Sequence, residues 1–193
     1  LKLRDGEYYS RSPSDLKCML EHFVALREAV LGRGFDVPQW LQETIRLMAV
    51  NLQGLRHGDG GLALFNGGLE EQADDLDRVL EKVGAEEKRD LFNANSSAYQ
   101  RLAAGNTILL VASAAPAADE FGRAGHSGGT AFEMSVGKHR LVVNCGSGRH
   151  RNGDWPEAAR ATAAHSTLHF ANANAWPILG DGGFGSNPAP LYC

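Results

Sequence analysis

Apolar residues recur three and four apart along the first part of the chain. Leu16, Met19, Leu20, Phe23, Leu26, Val30 and Leu31 trace one apolar face of a helix. Ser12-Pro13-Ser14-Asp15 opens it: Ser12 can accept from unpaired amides, Pro13 suits the first helical position, and Asp15 favours the positive end. Gly32 and Gly34 stop it. Trp40, Leu41, Ile45, Met48, Leu52 and Leu55 mark a second helix that starts around residues 36–38. The short link makes the two antiparallel neighbours. Residues 62–68 are apolar and short, an irregular segment set against the helices. Leu69, Ala73, Leu76, Leu80 and Val83 mark a third helix, and Glu70, Glu71, Asp74, Asp75, Asp77 and Glu81 give it a solvated acidic face.

Beyond the helices the period changes to two. Residues 99–104 and 107–111 predict a hairpin around Gly105-Asn106. Thr130, Phe132, Met134 and Val136 alternate with Ala131, Glu133 and Ser135 as a half-buried strand, and Gly137-Lys138 turns it into a second strand over residues 139–144. Residues 155–164 predict one or two helical turns, residues 166–170 a strand, and the remainder loop. The division is therefore 1–92 helical and 98–193 β, an α+β chain of two architectures in series.

Composition narrows the partners. The 193 residues are 43% hydrophobic and 22% charged, values of a folded chain, and the net charge of -4 comes with no basic stripe for nucleic acid. The longest apolar run is far short of a membrane span. Cys18, Cys145 and Cys193 form no CxxC pair and predict three free thiols, two of them in or near cores. The first residues lack a starting methionine and the last lack a natural stop, so a piece of a longer parent chain is expected.

Candidate chemistry gathers at element ends. His57-Gly58-Asp59-Gly60-Gly61 follows the second helix and can present His57 and Asp59 to a ligand. Tyr8 and Tyr9 precede the first helix, placed either to relay protons or to pack with one wet edge. Together these groups suit a carbohydrate cleft. His126, Asn144 and His165 fall at strand ends and can converge, either as a hydrogen-bonded cluster or as two imidazoles and an oxygen suited to Zn²⁺. No phosphate loop, GxGxxG, HExxH or GxSxG is present. Asp59 and Glu133 are a conceivable carboxylate pair for hydrolysis.

Three blocks resemble the β-domain core of the heparinase II/III-like family: Ala124-Gly125-His126-Ser127-Gly128-Gly129-Thr130-Ala131-Phe132-Glu133, then Arg140-Leu141-Val142-Val143-Asn144-Cys145-Gly146, then Ala159-Arg160-Ala161-Thr162-Ala163-Ala164-His165-Ser166-Thr167. Residues 5–13 and 56–68 resemble its bacterial members as well. The resemblance implies a partial α/α toroid followed by an antiparallel β-sandwich, both incomplete here and completed by the rest of the parent chain. It implies a polysaccharide lyase that eliminates across uronic-acid residues of an acidic polysaccharide, with tyrosine and histidine sharing the base and acid roles. It places His126 and His165 on the family's two zinc-ligand histidines and Asn144 at or next to its aspartate ligand. Ala124 stands where characterised lyases carry a catalytic histidine, and Asp15 where they carry a tyrosine. Tyr8, Tyr9 and His57 are then the catalytic candidates. The alternative is a non-catalytic glycan-binding or structural relative. A periplasmic or cell-envelope location is suggested by the resemblance alone.

Overall fold

The computed structural model describes residues 8–84, 98–116 and 122–185. Helix α1 spans Pro13–Gly32, α2 Gln39–Gly54 and α3 Ala73–Val83. Ser12 is the N-cap of α1 and accepts from the Asp15 amide at 3.5 Å, as its sequence predicts. The inward face of α1 is narrower than its apolar stripe: Leu16, Leu20 and Val24 are buried, whereas Leu26 and Leu31 are exposed. In α2 the buried set is Leu41, Ile45, Met48, Ala49 and Leu52, and Trp40 lies outside. Helix α3 starts later than the apolar spacing suggests. The Leu69 amide donates to Ser14 Oγ at 2.8 Å, which pins the chain to the start of α1 before α3 can begin.

The acidic side of α3 and the segment before it is more than a solvated face. Glu71 pairs with Lys17 at 3.1 Å, Asp77 with Arg56 at 2.8 Å and Glu70 with Arg140 at 3.3 Å. Residues 62–68 fill the space between helices and sheet, as expected of an irregular apolar segment. Leu62, Ala63 and Phe65 are buried, and a 3₁₀ turn covers Phe65–Gly67.

Four antiparallel strands follow in the order β1-β2-β3-β4: Tyr99–Ala104, Thr107–Ala112, Phe132–Val136 and His139–Val142. Arg101, Leu110 and Glu133 form one cross-strand row, and Leu102, Leu109 and Met134 the next. Period-two alternation puts these rows on opposite faces. The first faces the helices, with Leu110 and Glu133 fully buried, while Leu102, Phe132, Val136 and Leu141 are exposed on or beside the second. Strand β3 thus turns its polar residues, Glu133 and Ser135, into the molecule.

β4 ends before Asn144, because the Asn144 amide leaves the ladder and donates to Glu133 Oε1 at 3.2 Å. The strand expected over residues 166–170 does not form. Its start is held by side chains: the Ser166 amide donates to Asn144 Oδ1 at 3.1 Å, and the Thr167 hydroxyl bonds to the Gly129 carbonyl. Left-handed Ala171 and Asn172 then turn the chain, leaving Leu168 and Phe170 exposed. Helical turns at Trp155–Ala158 and Thr162–Ala164 match the expected alanine-rich turns. Among the described residues no helix is long and apolar enough to cross a membrane.

Helices and sheet share one core, from Leu16 and Leu20 through Leu52 and Leu76 to Tyr99, Leu110 and Ala131. Polar clamps fix the seam. Arg101 donates to the carbonyls of Gly54 and Arg56 at 3.1 and 2.7 Å, placing a cation at the negative end of α2. A Cβ on Gly58 would lie 1.9 Å from the Gly137 carbonyl oxygen, so only glycine lets this loop meet the β3–β4 turn.

Candidate functional site

The seam holds a buried polar relay. His57 Nδ1 lies 3.1 Å from Ser135 Oγ, and His57 Nε2 lies 2.8 Å from Glu133 Oε2. Glu133 Oε1 accepts from the Leu64 amide at 2.9 Å, the Asn144 amide at 3.2 Å and Asn144 Nδ2 at 3.0 Å. Asn144 Oδ1 in turn faces His165 Nδ1 at 3.1 Å. A buried carboxylate persists only when its oxygens are satisfied in this way.

That arrangement decides several sequence expectations. His57 is enclosed by the two blocks, its side chain having no exposed surface, so here it cannot present its ring to a glycan. Asp59 is exposed but engaged by Arg140, 2.7 Å from its Nε. Burial alone would push the Asp59 carboxyl up. The Arg140 bond, the Gly61 amide and the charges of Arg140 and His57 outweigh it and hold the pKa below the usual range. With Glu133 buried in the relay and Asp59 bound to Arg140, the two carboxylates are not a hydrolytic pair.

The relay ends at a second cluster. His126, Cys145 and His165 each offer a ligand atom, and these atoms all lie within 4.8 Å of one another. The His126 and His165 rings are 5.1 Å apart between centroids. The local chain is held by a knot of small side chains. Ser127 Oγ contacts Thr162 Oγ1 at 3.0 Å and donates to the Trp176 carbonyl, Thr162 Oγ1 donates to the Ser127 carbonyl, and the His165 amide donates to the Thr162 carbonyl. Arg160 adds a bond to the Gly125 carbonyl at 2.9 Å. Left-handed Gly67 lies under His126, where a Cβ would come 3.2 Å from its Nε2.

The cluster fits a metal ion. His126 Nδ1 and His165 Nε2 are buried without a hydrogen-bond partner, a cost of about 1–3 kcal/mol for each unsatisfied group. Burial pushes the His126 imidazole down to about 3, helped by the nearby His165, Arg160 and Arg149. Burial also takes His165 down to about 4. Both rings are neutral at neutral pH, the form that binds metals. Cys18 and Cys145 are free thiols on exposed residues rather than in the core, Cys193 lies outside the described residues, and partial burial raises the Cys145 pKa.

Tyr8 and Tyr9 are half-buried, and Tyr8 packs against the core. They enter a turn closed by the Arg11 amide on the Tyr8 carbonyl at 2.9 Å. Arg11 has a left-handed φ of 55°, and its buried Nη1 has no hydrogen-bond partner. The Arg11 carbonyl accepts from the Tyr99 hydroxyl and from Asn66 Nδ2, and Asn66 Oδ1 accepts from the His126 amide at 3.3 Å. The tyrosine turn and the histidine cluster are therefore neighbours through Asn66.

Sequence reading missed Cys145 as a ligand and missed Arg11, and it weighed Glu133 only as a hydrolytic partner of Asp59, not as the buried acceptor of the seam. Cys145 was signalled by its place beside Asn144 at a strand end, and Glu133 as the one charged residue in an apolar strand. Arg11 carried no signal, because its left-handed turn is invisible without coordinates.

Comparison with known proteins places this geometry. Two solved structures of heparinase III superpose with TM-scores of 0.74 and 0.71 at 16% and 13% identity. They cover 90% of this chain and 31% and 33% of theirs. The heparan sulfate lyase of Pedobacter heparinus gives a TM-score of 0.62 at 16% identity, over 90% of this chain and 31% of its own. FtsZ-localized protein C of Caulobacter vibrioides is 28% identical over 181 residues. That alignment takes in 90% of this chain and 30% of the relative, so the chain spans about a third of its length. Residues 86–186, more than half of the chain, match the C-terminal domain of the heparinase II/III-like family, and the chain belongs to that family.

Proposed function

We propose that this chain is part of a polysaccharide lyase-like protein that acts by β-elimination on a uronic-acid-containing, acidic polysaccharide. The observation that carries this reading is the half-buried Arg11 beside Tyr8 and Tyr9, whose guanidinium keeps Nη1 without a hydrogen-bond partner. Elimination needs the uronate carboxylate neutralised so that charge can build at C5 as its proton leaves. Arg11 supplies that charge, and Tyr9 or Tyr8 takes the C5 proton and returns a proton to the C4 oxygen as the C4–O bond breaks and the C4–C5 double bond forms. His57 supports the seam through Glu133 and has no part in proton transfer.

On this reading the helices described within residues 8–84 belong to a partial α/α toroid and the strands from Tyr99 on begin the β-sandwich; the outer ends of the expected 1–92 and 98–193 blocks lie outside the described residues. Zn²⁺ is the ion we assign to the histidine cluster. There it would tie three loops together, and the elimination runs on the chain's own side chains. A periplasmic or cell-envelope location accords with a polysaccharide substrate.

The test is the absorbance of the unsaturated uronate product, with full-length protein and a panel of acidic glycans. Product from one of them supports the proposal, and no product from any of them sinks it.

A second reading has its own support. Ala124 and Asp15 stand where the resemblance expects a catalytic histidine and tyrosine, and one relative is named for its localisation with FtsZ. On this reading the protein is a non-catalytic glycan-binding or structural relative that localises with FtsZ. It predicts saccharide binding without turnover and co-localisation of a fluorescent fusion with FtsZ. Measured turnover would refute it.

A further inference from the structure

We infer that the metal centre of this chain is a His₂Cys site, with Cys145 as its third ligand and Asn144 outside the coordination sphere. The ligand atoms are His126 Nδ1, His165 Nε2 and Cys145 Sγ, and the inference does not depend on the protein being a lyase.

The resemblance puts the family's aspartate ligand at or next to Asn144, and the polar atoms of the Asn144 side chain are already engaged. Its Oδ1 faces His165 Nδ1 at 3.1 Å and accepts from the Ser166 amide at 3.1 Å, while its Nδ2 donates to Glu133 Oε1 at 3.0 Å. The bond to His165 Nδ1 fixes the tautomer that leaves Nε2 as a lone pair. This is the outer-shell role that carbonyl oxygens fill around metal-bound histidines.

Cys145 is the next residue along, and its sulfur lies in the group within 4.8 Å of both imidazoles. The other contacts of the sulfur are weak ones, to the carbonyls of Gly146 and Ala159 at 3.4 Å. Both orphaned imidazole nitrogens are buried, and His126 as a whole is only 6% exposed. An asparagine brings no charge to a divalent ion. A thiolate restores one negative charge, with the thiol proton released to solvent on binding. Two imidazoles and a thiolate favour Zn²⁺ over the hard cations that carboxylates select. Three protein ligands among the described residues leave the fourth tetrahedral position to water.

The experiment uses full-length protein carrying C18S and C193S, loaded with Co²⁺ as a spectroscopic stand-in for Zn²⁺. One ion per chain is expected, with a near-ultraviolet sulfur-to-cobalt charge-transfer band. C145S should lose the band. N144A should keep it while binding weakens about 10- to 100-fold. Bound cobalt without the band overturns the inference. So does a band that survives in C145S, or loss of all binding in N144A with C145S unaffected. Should C145S fail to fold, alkylation of Cys145 in the folded C18S/C193S protein still decides. Protection by Zn²⁺ is expected, and labelling at an unchanged rate overturns the inference.

Discussion

Glu133 Oε2 stands 2.8 Å from His57 Nε2, and neither side chain has any exposed surface. One residue comes from the loop after α2 and the other from the third strand, so the pair joins the helical block to the sheet. Through Asn144 it also reaches His165, making the seam and the metal cluster one connected structure.

Cutting that link should be costly. Glu133→Ala leaves His57, the Leu64 amide and the Asn144 amide without their acceptor, and removing one partner of a buried pair costs about 3–5 kcal/mol. Denaturant unfolding at neutral pH should show a loss of that order. A double-mutant cycle with His57→Ala should show strong coupling. A loss below about 1 kcal/mol would mean that the relay does not hold the seam.

Arg11→Ala separates charge neutralisation from folding. Alanine takes the same left-handed backbone position, so the melting temperature should change little. Turnover of a uronate glycan should fall about 100-fold, the typical effect of removing one donor that stabilises developing charge. Equal turnover by wild type and variant would remove Arg11 from the reaction.

The Asp59–Arg140 pair predicts an acid-sensitive seam. The folded-state pKa of Asp59 is held below its usual value, so its contribution is fully present above the unfolded pKa near 3.8 and is lost as pH falls through the folded value. Wild-type stability should therefore drop below about pH 4. Asp59→Asn should be less stable than wild type at neutral pH, and the gap should close in acid. A pH-independent difference between the two would deny the linkage.

Leu102, Phe132, Val136 and Leu141 are exposed on the strands of the sheet, and Val143 is exposed just past its last strand. Apolar patches of this kind drive association. The 193-residue chain by itself should elute as multimers, with Phe132→Ser and Leu141→Ser together shifting it toward monomer by light scattering. A monomer with a cooperative melt in the unsubstituted chain would contradict this.

Local chemistry made much of this protein readable. The Ser12-Pro13 cap, the apolar stripes of α1 and α2, and the turns at Gly105-Asn106 and Gly137-Lys138 are effects of neighbouring residues, and they appear where the spacing put them. The approach of His126 to His165 was also legible, since both sit at ends of predictable elements and carry the family pattern.

The rest depended on partners far apart in the chain. Hydropathy does not foresee a strand that turns Glu133 and Ser135 inward, because that choice is made by His57, 76 residues away from Glu133. The sequence likewise marked Asn144 as a ligand candidate. Only the folded chain shows its oxygen committed to His165 and the adjacent sulfur drawn into the cluster. Spacing along the chain sets which helices and turns can form. Which polar atoms are satisfied, and which are left free for a metal or a glycan, is settled by contacts that exist only once the helices dock on the sheet.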